Sequence, residues 1–155
     1  MPDSAQGAGY ICVSVHIMAP AQAVWEATTD WERQSAWMLG TRVRGTEANG
    51  QGVGGGIEAW TGVGPLGFLD TMVITEWDPP HRCAVKHTGR LIKGTGAFEV
   101  TEHKDGGCIL SWSEDLTLPL GALGRLGWPV AKPFTKFGLE RSLAKLKAAV
   151  TAEQS

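Results

Sequence analysis

Val15-His16-Ile17-Met18-Ala19-Pro20-Ala21-Gln22-Ala23-Val24-Trp25 holds the first change of period in the chain, and the fold is read outward from it. Upstream, Ile11, Val13, Val15 and Ile17 are apolar while Ser14 and His16 fall between them, the period of two of a strand with one buried face. Ala19-Pro20 ends the strand. Pro20 is placed to open a helix, because a proline in the first turn gives up no needed hydrogen bond. Ala21 to Thr28 reads as that short helix. Asp30 then caps a second over Trp31 to Met38, its carboxylate accepting from N–H groups that the first turn leaves free.

From Thr41 to Asp115 the punctuation becomes Gly, Asn and Pro, bounding runs that are apolar, aromatic or alternating. Strands are expected over Thr41–Glu47, Gly56–Trp60, Gly67–Trp77, Arg82–Thr88, Leu91–Thr101 and Cys108–Thr117. Turns are expected at Asn49-Gly50, Asp78-Pro79-Pro80, Gly89-Arg90 and Asp105-Gly106-Gly107. Connectors this short favour antiparallel neighbours over helical crossovers.

The C-terminal part turns helical, rich in Leu, Ala and Lys. Leu123, Leu126, Val130, Phe134 and Phe137 form one stripe at spacings of three and four, and Leu139, Leu143, Leu146 and Val150 form another. At about 100° per residue the two stripes lie on nearly opposite sides of an ideal helix. Either the helix breaks or bends near Pro129, Pro133 or Gly138, or its first half faces something apolar that its second half does not. Pro133 lacks a donor and crowds the preceding turn, so a kinked or two-piece helix is expected. Phe134 and Phe137 would close one end of a cavity while the Leu stripe packs on the sheet. Lys132, Lys136, Arg141, Lys145 and Lys147 are read as a solvated face.

This order of elements resembles the START-related superfamily (SRPBCC), which includes polyketide cyclases/dehydratases, lipid carriers and the birch-pollen-allergen-like proteins. Val15 to Trp25 looks like its opening strand followed by a p-x-x-V-W helix. Glu76-Trp77-Asp78-Pro79-Pro80-His81-Arg82 looks like its e-x-d-P-P-x-r hairpin. Gly106-Gly107 before Cys108-Ile109-Leu110-Ser111-Trp112, then Leu118-Pro119, looks like its last strand and the entry to its helix. The resemblance implies an α+β helix-grip fold, a curved antiparallel sheet of about seven strands around a long C-terminal helix, with two short helices after the first strand. It implies a ligand held between the concave face of the sheet and that helix. One ligand-binding domain is expected over residues 10–152, with flexible termini at 1–9 and 153–155.

The totals narrow the function. At 155 residues the chain has the length of one domain with a sizeable core. A formal charge of -2 provides no basic excess for nucleic acid. Cys12, Cys83 and Cys108 show no C-x-x-C pair, sit in apolar strand-like runs, and are read as reduced core residues of a cytoplasmic protein. Residues 1–10 show no signal peptide, and no window reaches the roughly 20 apolar residues of a spanning helix, so no integral membrane association is expected. The 21 glycines and seven tryptophans suit a curved sheet around a roomy interior.

Several motifs invite chemistry. Gly50 to Gly55 satisfies G-x-G-x-x-G, with Asp70 following at a superficially suitable distance for a ribose contact. The context fails, because a strand-like run follows where a dinucleotide site needs a helix. No cofactor is expected. His16, His81, His87 and His103 form no helical pair or close Cys/His cluster in sequence, and Cys83 and His87 would stand about 13 Å apart on one strand. No metal is expected either.

More weight falls on single polar groups that alternation turns inward. Cys83, Val85 and His87 share an inner face, as do Leu110, Trp112 and Glu114. In the strand over Gly67–Trp77, Met72 and Ile74 are taken as the inward pair. A buried His87 or Glu114 is the candidate general acid/base for an aldol cyclisation or dehydration; it equally suits a polar group that orients a ligand without chemistry. Trp37, Trp60, Phe98, Trp112, Trp128, Phe134 and Phe137, with Leu126 and Val130, are the expected apolar lining. The leading expectation is binding, transport or sensing of a small hydrophobic molecule, lipid or polyketide-like. The alternatives are a cyclase/dehydratase-like enzyme and a protein-interaction module.

Overall fold

The structure is a computed structural model that describes residues 7–118 and 121–155. Pro119, part of the expected entry to the final helix, and residues 1–6 of the stretch 1–9 expected to be flexible lie outside the described residues. The chain runs β1 (Gly9–Ile17), α1 (Ala21–Thr29), α2 (Trp31–Gln34), β2 (Thr41–Gly45), a 3-10 turn (Glu47–Gly50), β3 (Gly56–Val63), β4 (Leu66–Asp78), β5 (Arg82–Thr88), β6 (Lys93–Glu102), β7 (Cys108–Leu116) and α3 (Ala122–Glu153). All seven strands join one antiparallel sheet in the order β1-β7-β6-β5-β4-β3-β2. The meander from β2 to β7 follows from the short connectors, and β1 closes onto β7 with Val13 opposite Trp112. This is the expected helix-grip architecture.

Local signals act as read. The Asp30 carboxylate accepts from the Arg33 N–H at 3.4 Å and starts α2. A bulge between Ile74 and Glu76 shifts the β4/β5 register and adds curvature. The core collects Ile11, Val13, Ile17, Val24, Trp25, Trp31, Trp37 and Ile74 with Leu143, Leu146 and Val150 of α3. The Gly50-to-Gly55 stretch leads from the 3-10 turn into strand β3, so it builds a turn.

Three expectations are corrected. The second helix stops at Gln34, and the run to Met38 continues as turns; the Ser35 hydroxyl accepts from the Val43 N–H at 3.2 Å and binds this segment to β2. Cys12 is exposed, because the alternation that buries Ile11 and Val13 turns its side chain to the other face; Cys83 and Cys108 are buried thiols. Beside the expected domain bounds of 10–152, β1 begins at Gly9 and α3 ends at Glu153, which pairs with Arg33.

The last correction is to the helix. It continues unbroken through Pro129, Pro133 and Gly138. The carbonyls that the two prolines leave without a partner belong to residues 125 and 129, both on exposed parts of the helix where water can reach them. In one continuous helix the two stripes cannot face the same way. The Leu143, Leu146 and Val150 side is buried, whereas Leu123, Leu126, Val130, Phe134 and Phe137 are 61–75 % exposed.

Candidate functional site

Between the concave face of the sheet and α3 lies a cavity of about 330 Å³. Its wall is mostly apolar: Ile57, Ala59, Phe68, Met72, Val85, Ala97, Phe98 and Trp112 from the strands, Trp31 and Met38 from the helical elbow, and Leu139 from α3. The rings are braced against one another. Phe98 and Trp112 stand 5.1 Å apart between centroids, and Trp37 meets Trp112 edge-on at 6.3 Å. Edge and tilted contacts of this kind hold aromatic walls in place more firmly than burial alone.

The charged residues that line the cavity are Asp70, His87 and Glu114, and they are bonded to one another. His87 Nδ1 lies 2.9 Å from Asp70 Oδ1, and its Nε2 lies 2.9 Å from Glu114 Oε2. Trp112 Nε1–H donates to the other Glu114 oxygen at 2.9 Å. The side chain of His87 is only 4 % exposed. Burial by itself would strip the proton from this imidazole, but hydrogen bonds and attraction from Asp70 and Glu114 outweigh it and push its pKa up to about 10. At neutral pH His87 is therefore an imidazolium donating from both nitrogens, flanked by two carboxylates.

Sheet register explains how strands that are not neighbours meet here. His87 pairs with Met72 on β4 and with Gly94 on β6, while Glu114 on β7 pairs with Gly96 on β6. β6 thus offers no side chain at either position between them. A Cβ at Gly96 would stand 2.6 Å from Glu114 Oε2, so the missing methyl is what lets the carboxylate cross β6 to His87. Asp70 reaches His87 from the far side, two residues along β4 from Met72.

Of the residues singled out in the sequence, Met72, Val85, His87, Phe98, Trp112, Glu114 and Phe134 line the cavity. Ile74 faces inward as expected but is packed in the core at 1 % exposure, and Trp37 stands behind Trp112. Trp60 belongs to the opposite face: its neighbour Ala59 pairs with the inward Asp70, so Trp60 turns outward, where Arg42 sits 5.3 Å from its ring. Leu126, Val130 and Phe137 lie on the exposed side of α3 and do not line the cavity, and Phe134 lines it while remaining 75 % exposed. Thr135, Gly138, Leu139 and Ser142 form the inner side of the helix instead. The Ser142 hydroxyl donates to the Gly138 carbonyl at 2.9 Å and accepts from the Leu39 N–H at 3.3 Å, pinning α3 over the elbow.

Among the polar lining residues that sequence reasoning missed are Asp70 and Gln34, with Thr41, Thr61, Thr135 and Ser142. Gln34 is buried and donates to the Thr28 carbonyl at 2.6 Å. Asp70 did carry a signal, an acidic residue at an inward position two before Met72, but the sequence reading weighs it only as a ribose contact and sets it aside with that motif.

A family model described as polyketide cyclase / dehydrase and lipid transport matches residues 11–151. Among curated proteins none matches this sequence. Solved structures share the fold at low identity. TTHA0849 of Thermus thermophilus superposes with a TM-score of 0.79 at 15% identity, covering 94% of this chain and 99% of that one. Ms6760 of Mycobacterium smegmatis gives 0.69 at 18%, covering 94% and 92%. An AHSA1-like protein of Aeromonas hydrophila gives 0.63 at 20%, covering 94% of both chains. No helix among the described residues is long and apolar enough to cross a membrane.

Proposed function

We propose that this chain, which belongs to the polyketide cyclase / dehydrase and lipid transport family, binds a small, mainly apolar molecule that carries a hydrogen-bond donor. The observation that carries this reading is the ionic cluster Asp70–His87–Glu114, set in the wall of a mostly apolar cavity. Apolar contact with Met72, Val85, Phe98 and Trp112 supplies most of the affinity, since ligand sites gain from burying surface and use a few polar groups for orientation. The cluster supplies direction. Two carboxylates against one imidazolium leave a negative balance that favours a hydroxyl, phenol or amine donor over a ligand carboxylate.

Native mass spectrometry of the purified chain, followed by a screen of aromatic alcohols and hydroxylated lipids against their methyl ethers, tests this. Hydroxyl forms binding at least tenfold tighter than the ethers support the reading. Equal binding of both, or binding to neither, removes it.

A second reading is an acid/base enzyme of the cyclase or dehydratase kind, favoured by the protonated state of His87. An imidazolium fixed between two carboxylates can give a proton to a departing hydroxyl or a developing enolate while a carboxylate takes one from carbon. It cannot itself serve as the base while protonated. Turnover unchanged in His87→Gln and Glu114→Gln variants eliminates these roles.

A further inference from the structure

Away from the cavity, three metal-binding side chains converge on the outer side of the sheet where the β6–β7 turn meets the end of β1. His16 alternates with the inward Val15 and Ile17 and so faces out, opposite Ile109 of β7. His103 follows β6, and Asp105 sits in the turn. His16 Nε2 lies 2.8 Å from Asp105 Oδ2, and His103 Nδ1 lies 3.0 Å from Asp105 Oδ1. One donor atom from each of the three falls within 4.8 Å of the others. The two imidazoles meet edge-on, 5.2 Å between centroids.

The backbone fixes this arrangement. His103 N–H donates to Gly107 O at 2.8 Å, Gly106 N–H to His103 O at 3.1 Å, and Gly107 N–H to Asp105 Oδ1 at 2.9 Å. Gly106 adopts φ 88, a left-handed conformation that suits glycine, and a Cβ on Gly107 would stand 3.1 Å from His16 Nε2. The turn is thus shaped to leave room beside that nitrogen. The 2.8 Å contact between the buried His16 Nε2 and Asp105 lies off the line of a hydrogen bond. A nitrogen and a carboxylate that meet misaligned gain less than a well-aligned pair, and a cation held between them would satisfy both.

We propose that His16, His103 and Asp105 form a binding site for one divalent transition-metal ion of the zinc type. Two imidazole nitrogens and one carboxylate oxygen suit a borderline cation such as Zn²⁺ and poorly suit Mg²⁺ or Ca²⁺, which take oxygen donors. Three protein ligands leave a fourth position for water or another small ligand. Because the donors come from β1 and from the turn beyond β6, the ion would clip the edge strand to the hairpin across β7.

Calorimetric titration of the full chain with ZnCl₂, alongside MgCl₂, reads the site directly. One Zn²⁺ per chain is expected, with a rise in melting temperature and no response to Mg²⁺. His16→Gln and His103→Gln should each weaken binding about tenfold or more, while His81→Gln and Cys12→Ser leave it unchanged. Circular dichroism of the metal-free variants checks folding, and Asp105→Asn serves as a third ligand variant should either histidine variant fail that check. No Zn²⁺ uptake, uptake unchanged in the ligand variants, or loss in Cys12→Ser would overturn the proposal.

Discussion

Titrating His87 out of its charged state should destabilise the fold, and the effect can be sized. Its pKa is pushed up to about 10 in the folded chain, against an ordinary value of 6.5. The folded state therefore holds a proton that the unfolded state gives up first. The associated stability is fully present below about pH 6.5 and is lost as pH rises toward about 10, a few kcal/mol in all. Between about pH 7 and 8.5 the one-proton difference amounts to roughly 2 kcal/mol. Stopping there matters, because the buried thiols begin to count at higher pH: burial pushes Cys83 up to about 12 and raises Cys108 as well. Urea unfolding of wild type and His87→Gln at half-unit pH steps provides the assay, with ¹⁵N NMR of the imidazole as a direct readout. Wild type should lose stability steadily across the window and the variant should not. A flat wild-type profile, or an imidazole that titrates near its ordinary value, refutes the ion-cluster reasoning.

Other perturbations separate the parts of the structure. Gly96→Ala should push the Glu114 carboxylate off His87, lowering the imidazole pKa and costing about 1–3 kcal/mol, read by the same NMR titration and by urea unfolding. Pro133→Ala should stabilise the chain by up to about 3 kcal/mol in urea unfolding, since it restores a donor inside a continuous helix. Leu143→Ala, at a site 1 % exposed, should cost about 2–5 kcal/mol, whereas Leu126→Ala, 75 % exposed, should cost little; thermal melts distinguish the two.

Much of the fold was legible because it is written in local pattern. The alternation at Ile11, Val13, Val15 and Ile17, the Asp30 cap and the Arg82–Thr88 strand need no knowledge of the rest of the chain, and β5 has the boundaries its sequence suggests. The inward faces of β5 and β7 were likewise readable, which is why His87, Trp112 and Glu114 could be placed on the cavity side. Their meeting was not. It depends on β6 lying between them with glycines at two positions, a matter of cross-strand register that no single strand discloses. The same limit hid the approach of His16 to His103 across β7. Trp60 shows the opposite error: aromatic identity suggested lining, while the pairing of Ala59 with Asp70 turns the ring outward. In α3 the period was right and the two-piece alternative wrong, because prolines on the wet side of a helix can be tolerated without breaking it.

The bare stretch of β6 has a geometric consequence for whatever occupies the interior. At Gly96 the place of the absent side chain is taken by the Glu114 carboxylate, which lies over the bare peptide on its way to His87. A molecule in the interior therefore meets that carboxylate there and not the backbone, with the Phe98 and Trp112 rings among its other neighbours. Where a ligand carries its donor group, more than how long it is, then becomes the property on which ligands are sorted.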